Sequence, residues 1–142
     1  MWIKIRENTL IFFTGGILYG FTEILWRRKT HWSMIAAGGF CFLVLFRLFG
    51  KIRKIRNFYK CVIGSMLITC VEFAVGCVVN LKLRLNVWDY SAMPFNIVGQ
   101  ICPVYSILWG MLTFPVVLIC DFISKRQMPE YANQNFSRKI LP

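Results

Sequence analysis

"CVIGSMLITCVEFAVGCVVNL", Cys61 to Leu81, is apolar from end to end apart from a few small hydroxyls, Asn80 and a single ionisable side chain, Glu72. A hydrocarbon core about 30 Å thick takes roughly 20 such residues to cross, so the stretch reads as a membrane span. Inside lipid each backbone amide must bond within its own segment, which makes the span a helix.

Three further stretches have the same character: Thr9 to Trp26, Trp32 to Phe49 and Ile97 to Ile119. The composition agrees, with 142 residues, 57% of them hydrophobic, and a net charge of +11, at a mean hydropathy of +0.57. That balance belongs to membrane proteins. The expected fold is an all-α membrane protein, a four-transmembrane-helix bundle with short loops and an interfacial Trp88-Asp89-Tyr90-Ser91 segment between the third and fourth spans. Residues 1–126 form the transmembrane domain, with no room among them for a soluble catalytic unit. Residues 127–142 read as a polar cytoplasmic tail, with Pro129, Asn133, Gln134 and Asn135 giving it little structure of its own. The basic start and apolar centre of the first span resemble a secretory signal. Its length, and closure by Arg27, Arg28 and Lys29 without a small-x-small cleavage pattern, favour a retained span.

Lys and Arg outside the spans number eleven on the side of the N-terminus, middle connection and tail, against five on the other. The positive-inside bias then puts both termini in the cytoplasm of a cell-membrane protein. Trp26, Trp32, Trp88 and Tyr90 mark the outer interface, Trp2 and Tyr59 the inner one. The middle connection carries Lys51, Arg53, Lys54, Arg56 and Lys60 between Ile52, Ile55 and Phe58. It is either an anchor on anionic membrane lipids, each basic residue adding about 1 kcal/mol, or a docking element for a partner protein. Nucleic acid is not an expected partner.

An acid at mid-span costs about 2.5 to 3.5 kcal/mol to insert, so intramembrane ionisable groups are the best functional signal available. Glu72 lies near the centre of the third span and Glu23 near the outer end of the first. At helical spacing from Glu72 stand Ser65, Thr69, Gly76 and Asn80, a stripe turned away from lipid. Gly99, Pro103, Ser106, Gly110 and Thr113 repeat the pattern in the fourth span, and Gly16 and Gly20 continue to Glu23 in the first. Small residues and hydroxyls allow close helix contact, so spans one, three and four are expected to face one another. Glu23 reads as an i,i+4 partner of Arg27. Glu72 is either a hydrogen-bonded structural acid or a substrate or proton site, with Asn80, Arg84 and the segment from Trp88 to Gln100 as available partners. In that segment Asp89 and Ser91 fold a local turn, while Asn86, Asp89, Asn96 and Gln100 cap the bundle as a lid or line a ligand path. The candidate substrate-binding set is Glu72, Asn80, Asp89, Asn96, Gln100 and Glu23.

Six scattered cysteines without a CxxC pair act as small hydrophobes, and no metal or cofactor is expected. His31, the sole histidine, stands beside Trp32 as an interfacial residue, and no Ser/His/Asp grouping suggests an enzyme.

The stretches "YGFTEILW" from Tyr19, "EFAVG" from Glu72, "VWDYS" from Val87 and "PFNIVGQICPVYSILWG" from Pro94 to Gly110 resemble the CmpB-like family of integral membrane proteins, named for ABC-transporter type IV. The resemblance implies a permease-type membrane protein, a component of a transport system of unknown substrate. No GxxxxGK[ST] stretch occurs, so ATP hydrolysis would need a separate ATPase subunit. Four spans are few for a pore, which calls for a homo-oligomer or a second membrane subunit. The alternative is a noncatalytic scaffold or regulatory subunit that binds lipid and a partner protein.

Overall fold

The computed structural model describes the backbone of residues 2–140 and the side chains of residues 5–122. Four helices follow one another: α1 (Trp2–Arg27), α2 (Trp32–Lys51), α3 (Asn57–Gly76) and α4 (Pro103–Ile140). Each contains a stretch long and apolar enough to cross a membrane: Ile5–Arg27, Trp32–Lys51, Asn57–Lys82 and Pro103–Phe122. The third is completed by a π-helical turn, Cys77–Lys82, that continues α3.

Two corrections to the expected boundaries have clear local causes. The fourth span starts at Pro103, not Ile97. Proline supplies no amide and its fixed φ suits a first helical position, while residues 97–101 close a tight loop in which Ile97 N donates to Ile101 O at 2.9 Å. The helix of span four then runs on to Ile140, through the stretch that composition reads as irregular. Extending an existing helix fixes one residue per hydrogen bond and avoids the cost of nucleation.

The helices pack as two antiparallel hairpins, α1 on α2 and α3 on α4, joined by shorter contacts from α2 to α3 and α4. In lipid there is no hydrophobic gain from bringing helices together, so close approach depends on small residues. Gly16 faces the backbone oxygen of Ile35, Gly39 that of Phe12, and Gly64 meets Thr113 across the second hairpin. The Gly16 and Gly20 face of α1 therefore seats on α2, which overturns the expectation that α1 faces α3 and α4. Gly16 and Gly20 lie against Ile35, while Gly38 and Gly39 of α2 receive Tyr19 and Phe12 of α1. The pivot is α2, with 39% of its apolar stretch buried against 22% in each of the others.

Two apolar clusters stand at opposite ends of the bundle. Met34, Trp88, Tyr90 and Cys102 pack at the end that carries the connection 83–102. Leu45, Phe49, Val117 and Cys120 pack at the other. Outward residues such as Phe13, Ile17 and Ile107 are exposed, as a lipid-facing surface requires. All six cysteines are free thiols.

Candidate functional site

The stripe along α3 turns toward α4. Ser65 Oγ donates to Ser106 O at 2.5 Å and Thr69 Oγ1 to Ser106 Oγ at 3.0 Å. One turn further on, Glu72 is buried, and its two oxygens are each held by an aromatic donor. Tyr90 Oη donates to Oε1 at 2.9 Å and Trp109 Nε1 to Oε2 at 2.7 Å. Tyr105 stacks on Tyr90 at 4.3 Å between ring centroids, and Tyr19 of α1 reaches to within 6.0 Å of Trp109. The acid thus sits behind an aromatic wall built from α1, α4 and the connection. Burial first, and then the neighbouring Glu72, push the Tyr90 hydroxyl above its ordinary range. It is therefore a neutral donor.

The π-helical turn brings Asn80 into the connection. Its wider ring carries Leu83 N to Val78 O at 2.9 Å, an i→i+5 bond of the kind often found at functional sites. Asn80 Nδ2 donates to Trp88 O at 3.0 Å and to Gln100 Oε1 at 2.8 Å, while its Oδ1 accepts from Val87 N at 2.8 Å. Trp88 Nε1 donates to Gln100 O at 3.0 Å. Asn80, Trp88 and Gln100 thereby form a plug at the end of the bundle. Among the described residues no buried side-chain nitrogen or oxygen lacks a partner.

Of the six candidate residues, Glu72, Asn80 and Gln100 converge, with Tyr90, Trp88 and Trp109 between them. Asp89 and Asn96 do not join them. Asp89 is exposed and accepts from Ser91 N at 2.8 Å and Ser91 Oγ at 2.5 Å, bonds that hold its carboxyl below the usual range. Asn96 Nδ2 donates to Ser91 O and Met93 O, and its Oδ1 accepts from Gly99 N. Both side chains satisfy backbone groups of an irregular loop, which needs such partners because it has no helical ladder. Asn86, also expected as a cap, takes a left-handed turn at φ 47°. Arg84 is exposed and does not reach Glu72.

Glu23 is buried at the end of α1. Its Oε1 accepts from Arg27 Nη1 at 3.0 Å and its Oε2 from Thr30 Oγ1 at 2.5 Å, while Arg27 Nη2 donates to Val87 O at 2.8 Å. The acid and its arginine thus tie the first hairpin to the connection.

α1 and α4 make no extended approach, and the space between them is a cleft. One chamber of about 280 Å³ is walled by all four helices and reaches Glu72, Trp88 and Trp109. A second of about 410 Å³ lies between α1 and α4, bounded by Glu23, Arg27, Tyr90, Tyr105 and Trp109. Tyr19, Thr22, Met34, Trp109 and Leu112 line both.

A family model described as "Putative ABC-transporter type IV" matches residues 6–140. The chain belongs to this family. No curated protein and no solved structure matches it. In this family member the matched residues take in every membrane-crossing helix, the plug and the cleft.

Lys60 departs from the basic middle connection in which it was placed. Its Nζ is buried and donates to Asp121 Oδ1 at 3.2 Å, locking the start of α3 to α4 and removing it from contact with lipid or partner. A buried ammonium is tolerated only with such a partner. Lys51, Arg53, Lys54 and Arg56 remain exposed. Within α2, Arg47 donates to Asn8 Oδ1.

The sequence places Tyr90 within the segment available to Glu72 without singling it out, and does not point to Trp109 as the second donor. The available signal was chemical: tyrosine and tryptophan buried beside an acid need an acceptor for their polar ends.

Gly99 pins the loop, at φ 67°, where an added Cβ would lie 2.5 Å from Ser91 Oγ and 2.7 Å from Asp89 Oδ1. Gly99→Ala is expected to cost about 1–3 kcal/mol from backbone strain and overlap. Its unfolding midpoint in detergent, compared with that of wild type, measures this, and an unchanged midpoint would place Gly99 in a freer loop.

Proposed function

We propose that this chain is the membrane-embedded component of a transport system, with both termini in the cytoplasm of a cell-membrane protein. The observation that supports it is the chamber that reaches Glu72 from all four helices and opens between α1 and α4. Ligand sites are concave, mostly apolar and furnished with a few convergent polar groups, as this one is. Glu72 and Glu23 are its substrate-facing acids, Asn80 and Gln100 hold the plug, and Asp89 and Asn96 shape the loop over it. A cleft open along one side is closed in the assembly by a second copy or a second membrane subunit. Energy comes from a separate ATPase that docks on Lys51, Arg53, Lys54 and Arg56, because this sequence has no P-loop.

A scaffold role is the second reading, favoured by the full pairing of the buried polar groups. Crosslinking and purification from native membranes separates the two. The transport reading expects a P-loop ATPase activity to copurify with wild type and to be lost when Lys51, Arg53, Lys54 and Arg56 are replaced together by Gln, with the unfolding midpoint unchanged. Folded wild-type protein that brings down no nucleotide hydrolysis from its native membrane contradicts transport and leaves the scaffold.

A further inference from the structure

We infer that the cleft between α1 and α4 is a binding site for one phospholipid, its acyl chain lying in the cleft and its anionic phosphate in a polar recess at the end of α1. The inference goes beyond the transport reading and holds whether the lipid is carried or simply retained.

The recess, about 150 Å³, is lined by Glu23, Arg27, Lys29, Thr30, His31, Asn86 and Val87. It shares Glu23 and Arg27 with the larger cleft chamber, so the polar space adjoins the apolar one across that ion pair. The depths match those of an amphiphile. Trp26 and Trp32, both exposed, mark the interface level on either side of the recess. Tyr105 to Ile119, which bound the cleft on α4, cover about 21 Å of helix at 1.5 Å per residue. Half a hydrocarbon core is about 15 Å, so the cleft runs the depth of a leaflet and past the midplane.

Charge selects the head. Glu23 is offset by Arg27 and also held by Thr30. Lys29 makes no ion pair or hydrogen bond among the described residues, and it leaves the recess with one net positive charge. His31 also lines the recess, where its ring caps the start of α2. A phosphate meets the Lys29 ammonium at headgroup depth, with Arg27 and Asn86 in the same wall. A zwitterionic or uncharged head gains less from the same groups.

Native mass spectrometry of the full chain, exchanged into a mild detergent and titrated with defined lipids, tests this. Wild type is expected to retain a single phosphatidylglycerol in preference to diacylglycerol and phosphatidylcholine. Lys29→Gln should weaken phosphatidylglycerol retention about fivefold without changing diacylglycerol. Met111→Trp, at an exposed position that lines the cleft, should lower retention of all three. Inorganic phosphate alone should neither compete nor raise the unfolding midpoint. Equal retention of charged and uncharged lipids by wild type, indifference to both substitutions, or stabilisation by inorganic phosphate equal to that by lipid would each overturn the proposal. The lipid comparison on wild type decides the matter even where a variant folds poorly.

Discussion

Asn80→Ala is expected to lower the stability of the detergent-solubilised protein by about 2–4 kcal/mol, because one buried carboxamide makes three hydrogen bonds at the end of the bundle. Its removal leaves Val87 N without its acceptor and Trp88 O and Gln100 Oε1 without their donor. Each buried group left unpaired costs about 1–3 kcal/mol, and the losses overlap because the groups share one network. Asn80→Asp should be nearly as costly, since a carboxylate keeps the bond from Val87 but faces two acceptors. The measurement is reversible unfolding in detergent, with Trp88 protection from solvent as a local readout. A loss below about 0.5 kcal/mol, the range of an uninvolved surface site, would mean that Asn80 does not hold the plug.

Glu72→Leu is expected to cost about 2–4 kcal/mol by stranding two buried donors, Tyr90 Oη and Trp109 Nε1. Glu72→Gln should be far milder, about 1 kcal/mol or less. A glutamine carbonyl can accept from Trp109, while its amide donates to a Tyr90 hydroxyl that has turned to accept. This pair of substitutions separates shape and hydrogen bonding from acidity. A transport role for the acid is then read in Glu72→Gln, where folding is retained and only the ionisable group is lost. If Glu72→Gln unfolds the protein as severely as Glu72→Leu, the carboxyl group itself is structural and the scaffold reading gains.

The four helices were legible because hydropathy and span length depend only on local sequence, and the stripe from Ser65 to Asn80 was legible because helical spacing puts those residues on one face. Pairing was harder to read. Gly16 and Gly20 announced a close contact without naming its partner, which is Ile35 of α2. The connection 83–102 was the least readable part. It has left-handed residues at Arg84, Asn86, Phe95 and Val98 as well as Gly99, and such conformations at large or branched residues are imposed by surrounding contacts. Asp89 and Asn96 looked like site residues for the same reason that they serve the loop. Short polar side chains satisfy ligands and irregular backbone equally well. Lys60 was assigned to the surface because its partner, Asp121, stands 61 residues away.

The central claim is that the connection folds inward and that Tyr90 reaches down to Glu72 inside the bundle. A double-mutant cycle between Glu72→Leu and Tyr90→Phe, read by unfolding free energy in detergent, tests it most directly. The account predicts a coupling of about 1–2 kcal/mol, as expected of residues that share a buried hydrogen bond. Strictly additive losses would contradict it, because they would mean that the hydroxyl and the carboxyl group do not meet.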